Sequence, residues 1–184
     1  MPRIGAPVAA LTLVALASGP ATAETRALNL RSIEGDYYVR FRNELVGGEK
    51  YMAKDWLRIV RHGDKAAYFS VALEFYNGHE CSLSGIAALQ GDALVYRAPD
   101  EPDYDCRLEI RVEKSKFVFS DEGNRCRRLT CGARGGYGGK SFPLAARRVL
   151  KNAAALRRSE EFREALDTFE KLPKGDGHKP AGTP

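Results

Sequence analysis

The stretch A-Y-F-S-V-A-L-E-F-Y-N, residues 67–77, decides the fold. Phe69, Val71, Leu73 and Phe75 fall on one side of it, and Ser70, Glu74 and Tyr76 on the other. That period of two belongs to a half-buried strand. Asn77-Gly78 supplies a turn, and C-S-L-S-G-I-A-A-L (81–89) begins a second strand. Gln90-Gly91-Asp92 separates it from A-L-V-Y-R (93–97). Beyond a Pro- and Asp-rich loop, C-R-L-E-I-R-V-E (106–113) alternates again, with Leu108, Ile110 and Val112 together. Lys114-Ser115-Lys116 then turns into F-V-F-S-D (117–121).

The same pattern runs upstream. In G-D-Y-Y-V-R-F-R-N (35–43), Tyr37, Val39 and Phe41 oppose Tyr38, Arg40 and Arg42. After a bend at Gly47-Gly48, residues 51–61 place Leu57 and Ile59 inward and Trp56 and Arg58 outward. His62-Gly63-Asp64 is a hairpin turn. Turns at this spacing predict a mainly β fold, an antiparallel meander of about seven or eight strands closing into a small barrel or sandwich. Ser141–Leu150 supplies a closing strand in which Phe142, Leu144 and Val149 run partly out of phase.

The ends read differently. Residues 1–23 have the form of a signal peptide: Arg3, an apolar run from Val8 to Ala17, a break at Gly19-Pro20, and small residues at Ala21-Thr22-Ala23. Cleavage is expected before Glu24, the apolar run is too short for a membrane span, and no Cys follows it to carry a lipid. The expected organisation is therefore a leader (1–23), a β domain (24–150), a helix (151–172) and a disordered tail (173–184). In the helix Ser159 is the N-cap, Glu160 and Glu161 occupy the first turn, and Phe162, Ala165, Leu166, Phe169 and Leu172 form one apolar stripe. Pro173 stops it.

The chain has 29 Lys and Arg against 24 Asp and Glu, and loss of Arg3 with the leader leaves a net charge of +4. Such a mild, mixed excess lacks the dense patches of nucleic-acid binders and permits attraction to acidic glycans, lipopolysaccharide or anionic membranes. Four cysteines in an exported chain predict two disulfides, for which three pairings exist. In a meander Cys81 and Cys106 start strands at the same end of the sheet. The expected pairing is Cys81–Cys106, with Cys126–Cys131 as a local clip. The spacing does not suit zinc.

The segment Cys126–Phe142 is the most distinctive. Gly132, Gly135, Gly136, Gly138 and Gly139 are expected to take positive φ and turn several N–H groups toward one point. Arg134, Tyr137 and Lys140 interleave with them and are the expected ligand contacts, suited to an anionic or carbohydrate group. Gly139-Lys140-Ser141 matches the end of a phosphate-binding loop, but Arg134 stands where its first Gly belongs. His79-Glu80 reads as a solvent-facing turn, and Asp100, Glu101, Asp103 and Asp105 as a solvated loop rather than a calcium site. With only His62, His79 and His178, and no nucleophile motif, neither a metal, a cofactor nor catalysis is expected. Tyr38, Trp56, Tyr68 and Tyr76, with Arg40, Arg42 and Arg58, offer a second candidate binding face.

The leader, the small meander, the paired cysteines and the element C-G-A-R-G-G-Y-G-G-x-x-F (131–142) together resemble small periplasmic lipocalin-like β-barrel proteins related to lysozyme inhibitors. The resemblance covers residues 68–142. It implies a non-enzymatic inhibitor or envelope-binding role in the periplasm or outside the cell. The expected function is a binding module whose partner is an envelope protein, a lysozyme or an anionic glycan, without nucleic acid or a transmembrane anchor. The alternative is an interaction protein that docks a partner through its C-terminal helix.

Overall fold

Seven strands follow one another in a meander: β1 (Gly35–Glu44), β2 (Lys50–His62), β3 (Ala66–Glu74), β4 (Glu80–Gln90), β5 (Ala93–Arg97), β6 (Arg107–Glu113) and β7 (Lys116–Asp121). The structure is a computed structural model describing residues 28–99 and 105–172, so the expected leader, the tail and Asp100, Glu101 and Asp103 lie outside the described residues. Two short strands complete the sheet, β8 (Ser141–Pro143) beside β7 and β9 (Arg147–Arg148) beside β1. The result is a nearly closed antiparallel barrel of nine strands, slightly more than the turn spacing predicts.

Closure depends on one segment that changes partner. Phe142 pairs with Phe117 of β7, a 3-10 turn at Leu144–Ala146 intervenes, and Arg148 then pairs with Asp36 of β1. The slipped phase of Phe142, Leu144 and Val149 is this bend: two short strands stand where one closing strand is expected.

Inside, the predicted alternation holds. Tyr37, Leu57, Phe69, Val71, Leu73, Leu94, Leu108, Ile110, Phe117 and Phe142 are all fully buried. Each large apolar side chain of this kind contributes about 1.5–3 kcal/mol of transfer free energy. Helix α1 (Leu30–Ile33) covers the end where β1 begins, and the Tyr37 hydroxyl donates to the Ile33 carbonyl at 2.7 Å.

The opposite end is stapled. Helix α2 (Arg125–Thr130) follows β7, with the Asp121 carboxylate accepting from the Cys126 and Arg127 amides at 3.0 and 2.9 Å. Cys126, at its start, bonds to Cys106, and Cys131, just past its end, bonds to Cys81. This corrects the expected pairing. Cys126 and Cys131 stand five residues apart along a helix, about 7.5 Å of axial rise, beyond comfortable disulfide reach. Cys81 and Cys106 do start strands at the same end, but β5 lies between β4 and β6, a separation of roughly 9.5 Å. Helix α2 spans that distance, with one cystine on each side.

A second layer covers the outer face of β2–β4. It comprises α3 (Ala153–Leu156) and α4 (Glu160–Lys171). The Ser159 hydroxyl accepts from the Phe162 amide at 3.2 Å, the predicted N-cap. Phe162, Ala165, Leu166 and Phe169 pack on Val60, Ala66, Tyr68 and Ile86. The apolar stripe expected to dock a partner therefore meets the chain's own barrel. Tyr68 is buried beneath it and donates to Glu161 at 2.5 Å. Burial, reinforced by that carboxylate, pushes the phenol up to about 12.

Candidate functional site

The glycine-rich segment is built inward rather than outward. Tyr137 is fully buried among core side chains, its ring 6.4 Å from that of Phe119 and its hydroxyl 2.6 Å from that of Thr130. Burial pushes its phenol up to about 12. A ligand at the surface does not reach this residue. Of the five glycines, Gly139 alone takes positive φ, at 79°. Two of the others are needed for room. A Cβ on Gly135 falls 2.6 Å from Cys81 Sγ, and one on Gly132 falls 2.8 Å from His79 Nδ1.

Two of the five glycine amides are already committed. The Gly132 amide donates to Glu80 and the Gly135 amide to Gly132, both at 2.8 Å. The Arg127 guanidinium holds the Ala133 and Gly135 carbonyls at 2.7 and 2.6 Å.

Lys140 is also turned into the structure. Its Nζ lies 2.7 Å from Asp55 Oδ2 and 3.0 Å from the Glu74 carbonyl. The rings of Phe41 and Phe75 stand 4.7 and 4.3 Å away. Asp55 points inward from β2 and accepts the Glu74 amide at 2.7 Å through its other oxygen. Lys140 thus closes the barrel mouth by neutralising an inward carboxylate. Only Arg134 keeps the exposed position expected of it, with its guanidinium 5.2 Å above the ring of Tyr76. His79 packs against Gly132, and Asp105 pairs with Arg125 at 2.6 Å.

One open face is the outer side of β1 and β2. Directly opposed pairs run along it: Tyr38 with Trp56, Arg40 with Lys54, Arg42 with Met52, and Glu44 with Lys50. Neighbours on one strand are about 7 Å apart and opposed pairs about 5 Å. Arg58 is tied to Asp36 at 2.7 Å and lies 5.6 Å from the Trp56 ring, while Lys54 lies 5.4 Å from the Tyr38 ring. Among the described residues, Arg40, Arg42, Lys50 and Lys54 form no salt bridge. These four cations extend along the sheet from the Tyr38–Trp56 pair, with Glu44 opposite Lys50 and the Glu74 carboxylate accepting the Lys54 amide at 2.9 Å.

This face ends in a cleft. Arg42, Asn43, Glu44, Lys50 and Tyr76 line an open cavity of about 410 Å³. Asn77 Oδ1 accepts the Val46 amide at 3.1 Å, tying the β1–β2 hairpin to the turn that carries Tyr76. Arg134 stands above Tyr76.

Tyr38, Trp56, Arg40, Arg42 and Arg58 occupy the face expected from alternation, Tyr76 stands exposed in the turn after β3, and Tyr68 lies beneath α4. Lys50, Met52, Lys54 and Glu44 join them, because continued parity on both strands places them on the same side. No family model, curated protein or solved structure matches this chain.

Proposed function

We propose that the protein is an exported, non-enzymatic binding module that holds an acidic glycan of the cell envelope on the outer face of β1–β2. The observation that carries this reading is the run of Arg40, Arg42, Lys50 and Lys54, none of them in a salt bridge among the described residues, extending from the Tyr38–Trp56 pair. Arg and Lys supply attraction to carboxylate or sulfate groups, and flat aromatic rings give a sugar ring something to lie against. Two disulfides suit an oxidising compartment, which fits residence in the periplasm or outside the cell. The face has the wrong sign for steering toward a cationic lysozyme, so the envelope-binding half of the resemblance is favoured over the inhibitory half.

The test compares the full chain with a variant carrying Arg40→Ala, Arg42→Ala, Lys50→Ala and Lys54→Ala. Binding is measured to an immobilised acidic polysaccharide, to a neutral one, and to vesicles containing anionic lipid. The wild type is expected to hold the acidic polysaccharide and to release it as salt rises, and the variant to lose it. Equal binding by both proteins, or binding to anionic vesicles alone, overturns the reading.

A further inference from the structure

The cleft at the end of the face has a composition that attraction between opposite charges does not explain. Glu44 stands in it between two cations: Lys50 directly opposite on β2 and Arg42 two residues back on the same side of β1. Among the described residues it forms no salt bridge with either, and no donor reaches its carboxylate. A surface made only to attract polyanions gains nothing from a carboxylate at that point. Carbohydrate hydroxyls are different. They are donors, and a carboxylate flanked by cations is a strong acceptor for a pair of them.

The other walls fit the same chemistry. Asn43 is not a contact, because its amide is committed to Tyr51 Oη and the Phe75 carbonyl, both at 2.8 Å, and to the Glu44 amide at 2.9 Å. It acts as a rigid wall fixing where Glu44 begins. Tyr76 is 42 % exposed and offers a ring, with Arg134 above it. A volume of about 410 Å³ suits one or two pyranose rings.

We infer that this cleft is a subsite for a carboxylated sugar, a uronic acid or a similar acidic pyranose. Arg42 and Lys50 take its carboxylate, Glu44 accepts from its hydroxyls, and Tyr76 packs on its ring. This rests on the glycan-binding reading above and goes beyond it, because it separates a uronate from a sulfated or phosphorylated polymer of equal charge.

The sign of one substitution tests it. Removing Glu44 raises the positive charge of the face, so attraction alone predicts tighter binding to every polyanion. Hydroxyl recognition predicts weaker binding to the uronate. The full chain, Glu44→Ala, Glu44→Gln and Tyr76→Ala are titrated with oligogalacturonate and with dextran sulfate of matched length, with circular dichroism to confirm folding.

Glu44→Ala is expected to lose about tenfold in affinity for oligogalacturonate, the scale of a hydrogen bond to a charged group, and Tyr76→Ala about as much through loss of the ring contact. Glu44→Gln is expected to lose less, and none of the three to weaken dextran sulfate binding. If Glu44→Ala binds both polymers more tightly, or if the wild type does not distinguish them, the subsite is wrong and the cationic face stands. If the wild type binds neither polymer, both readings fall.

Discussion

Replacing Lys140 by Met tests the barrel mouth and separates structure from binding at a position that reads, in sequence, as a ligand contact. The Asp55 side chain is 7 % exposed and holds two partners, the Glu74 amide and the Lys140 ammonium, each at 2.7 Å. Met keeps the length and the contact with Phe41 and Phe75 but removes the charge. Asp55 is left as an inward carboxylate with a single donor. Breaking a fully buried pair costs about 3–5 kcal/mol.

Lys140 is 21 % exposed, which lets water approach the orphaned carboxylate, so the lower figure of about 2–3 kcal/mol applies here. For a chain of this size the midpoint of thermal unfolding should fall by roughly 4–12 °C. In urea, with a slope of about 2 kcal/mol/M, the midpoint should fall by about 1–1.5 M. The double variant Asp55→Asn with Lys140→Met removes the stranded charge and should regain a large part of the loss. Acidic-glycan binding should persist below the melting point. A Lys140→Met protein within about 0.5 kcal/mol of wild type, or singles that add without coupling in the double variant, would refute the argument.

Three further outcomes follow from geometry. Non-reducing peptide mapping should recover Cys81 with Cys131 and Cys106 with Cys126. Removal of the first cystine should cost about 4 kcal/mol and of the second about 3, from loops of 50 and 20 residues. The β6–β7 turn holds Lys114 and Ser115 at φ of 46° and 65°. Lys114→Asn with Ser115→Gly should stabilise the chain by about 1 kcal/mol in urea titration, because those residues accept that conformation readily. Tyr37, Tyr68 and Tyr137 all have phenols pushed up to about 12, chiefly by burial. With a folded pKa above the unfolded one near 10, each contributes stability that is complete below pH 10 and lost as pH rises toward 12. Their ionisation, followed by phenolate absorbance, should therefore coincide with unfolding; free titration at pH 10 in a folded chain would contradict it.

Much of the barrel is legible because period-two alternation is a local property. Phe69, Val71 and Leu73 announce their side of the sheet whatever their partners are. The outward pairing of Tyr38 with Trp56 follows in the same way. What escapes is what depends on contacts distant in sequence. R-C-R-R-L-T is too short to show helical periodicity, so α2 is invisible, and the cystine pattern that depends on it is misread. In the glycine-rich segment, composition alone does not distinguish a glycine that frees φ from one that makes room for a sulfur. Lys140 looks like a surface cation because nothing nearby in sequence reveals that Asp55, 85 residues earlier, points into the barrel.

The two cystines are nested, the smaller ring lying wholly inside the larger. A polypeptide oxidised from its amino terminus as it emerges presents Cys81 and Cys106 to each other before either native mate has appeared. Rapid oxidation therefore favours a bond that must later be exchanged. Recovery of the native chain should consequently depend on a thiol isomerase or on a reducing and oxidising buffer, and not on oxidant alone.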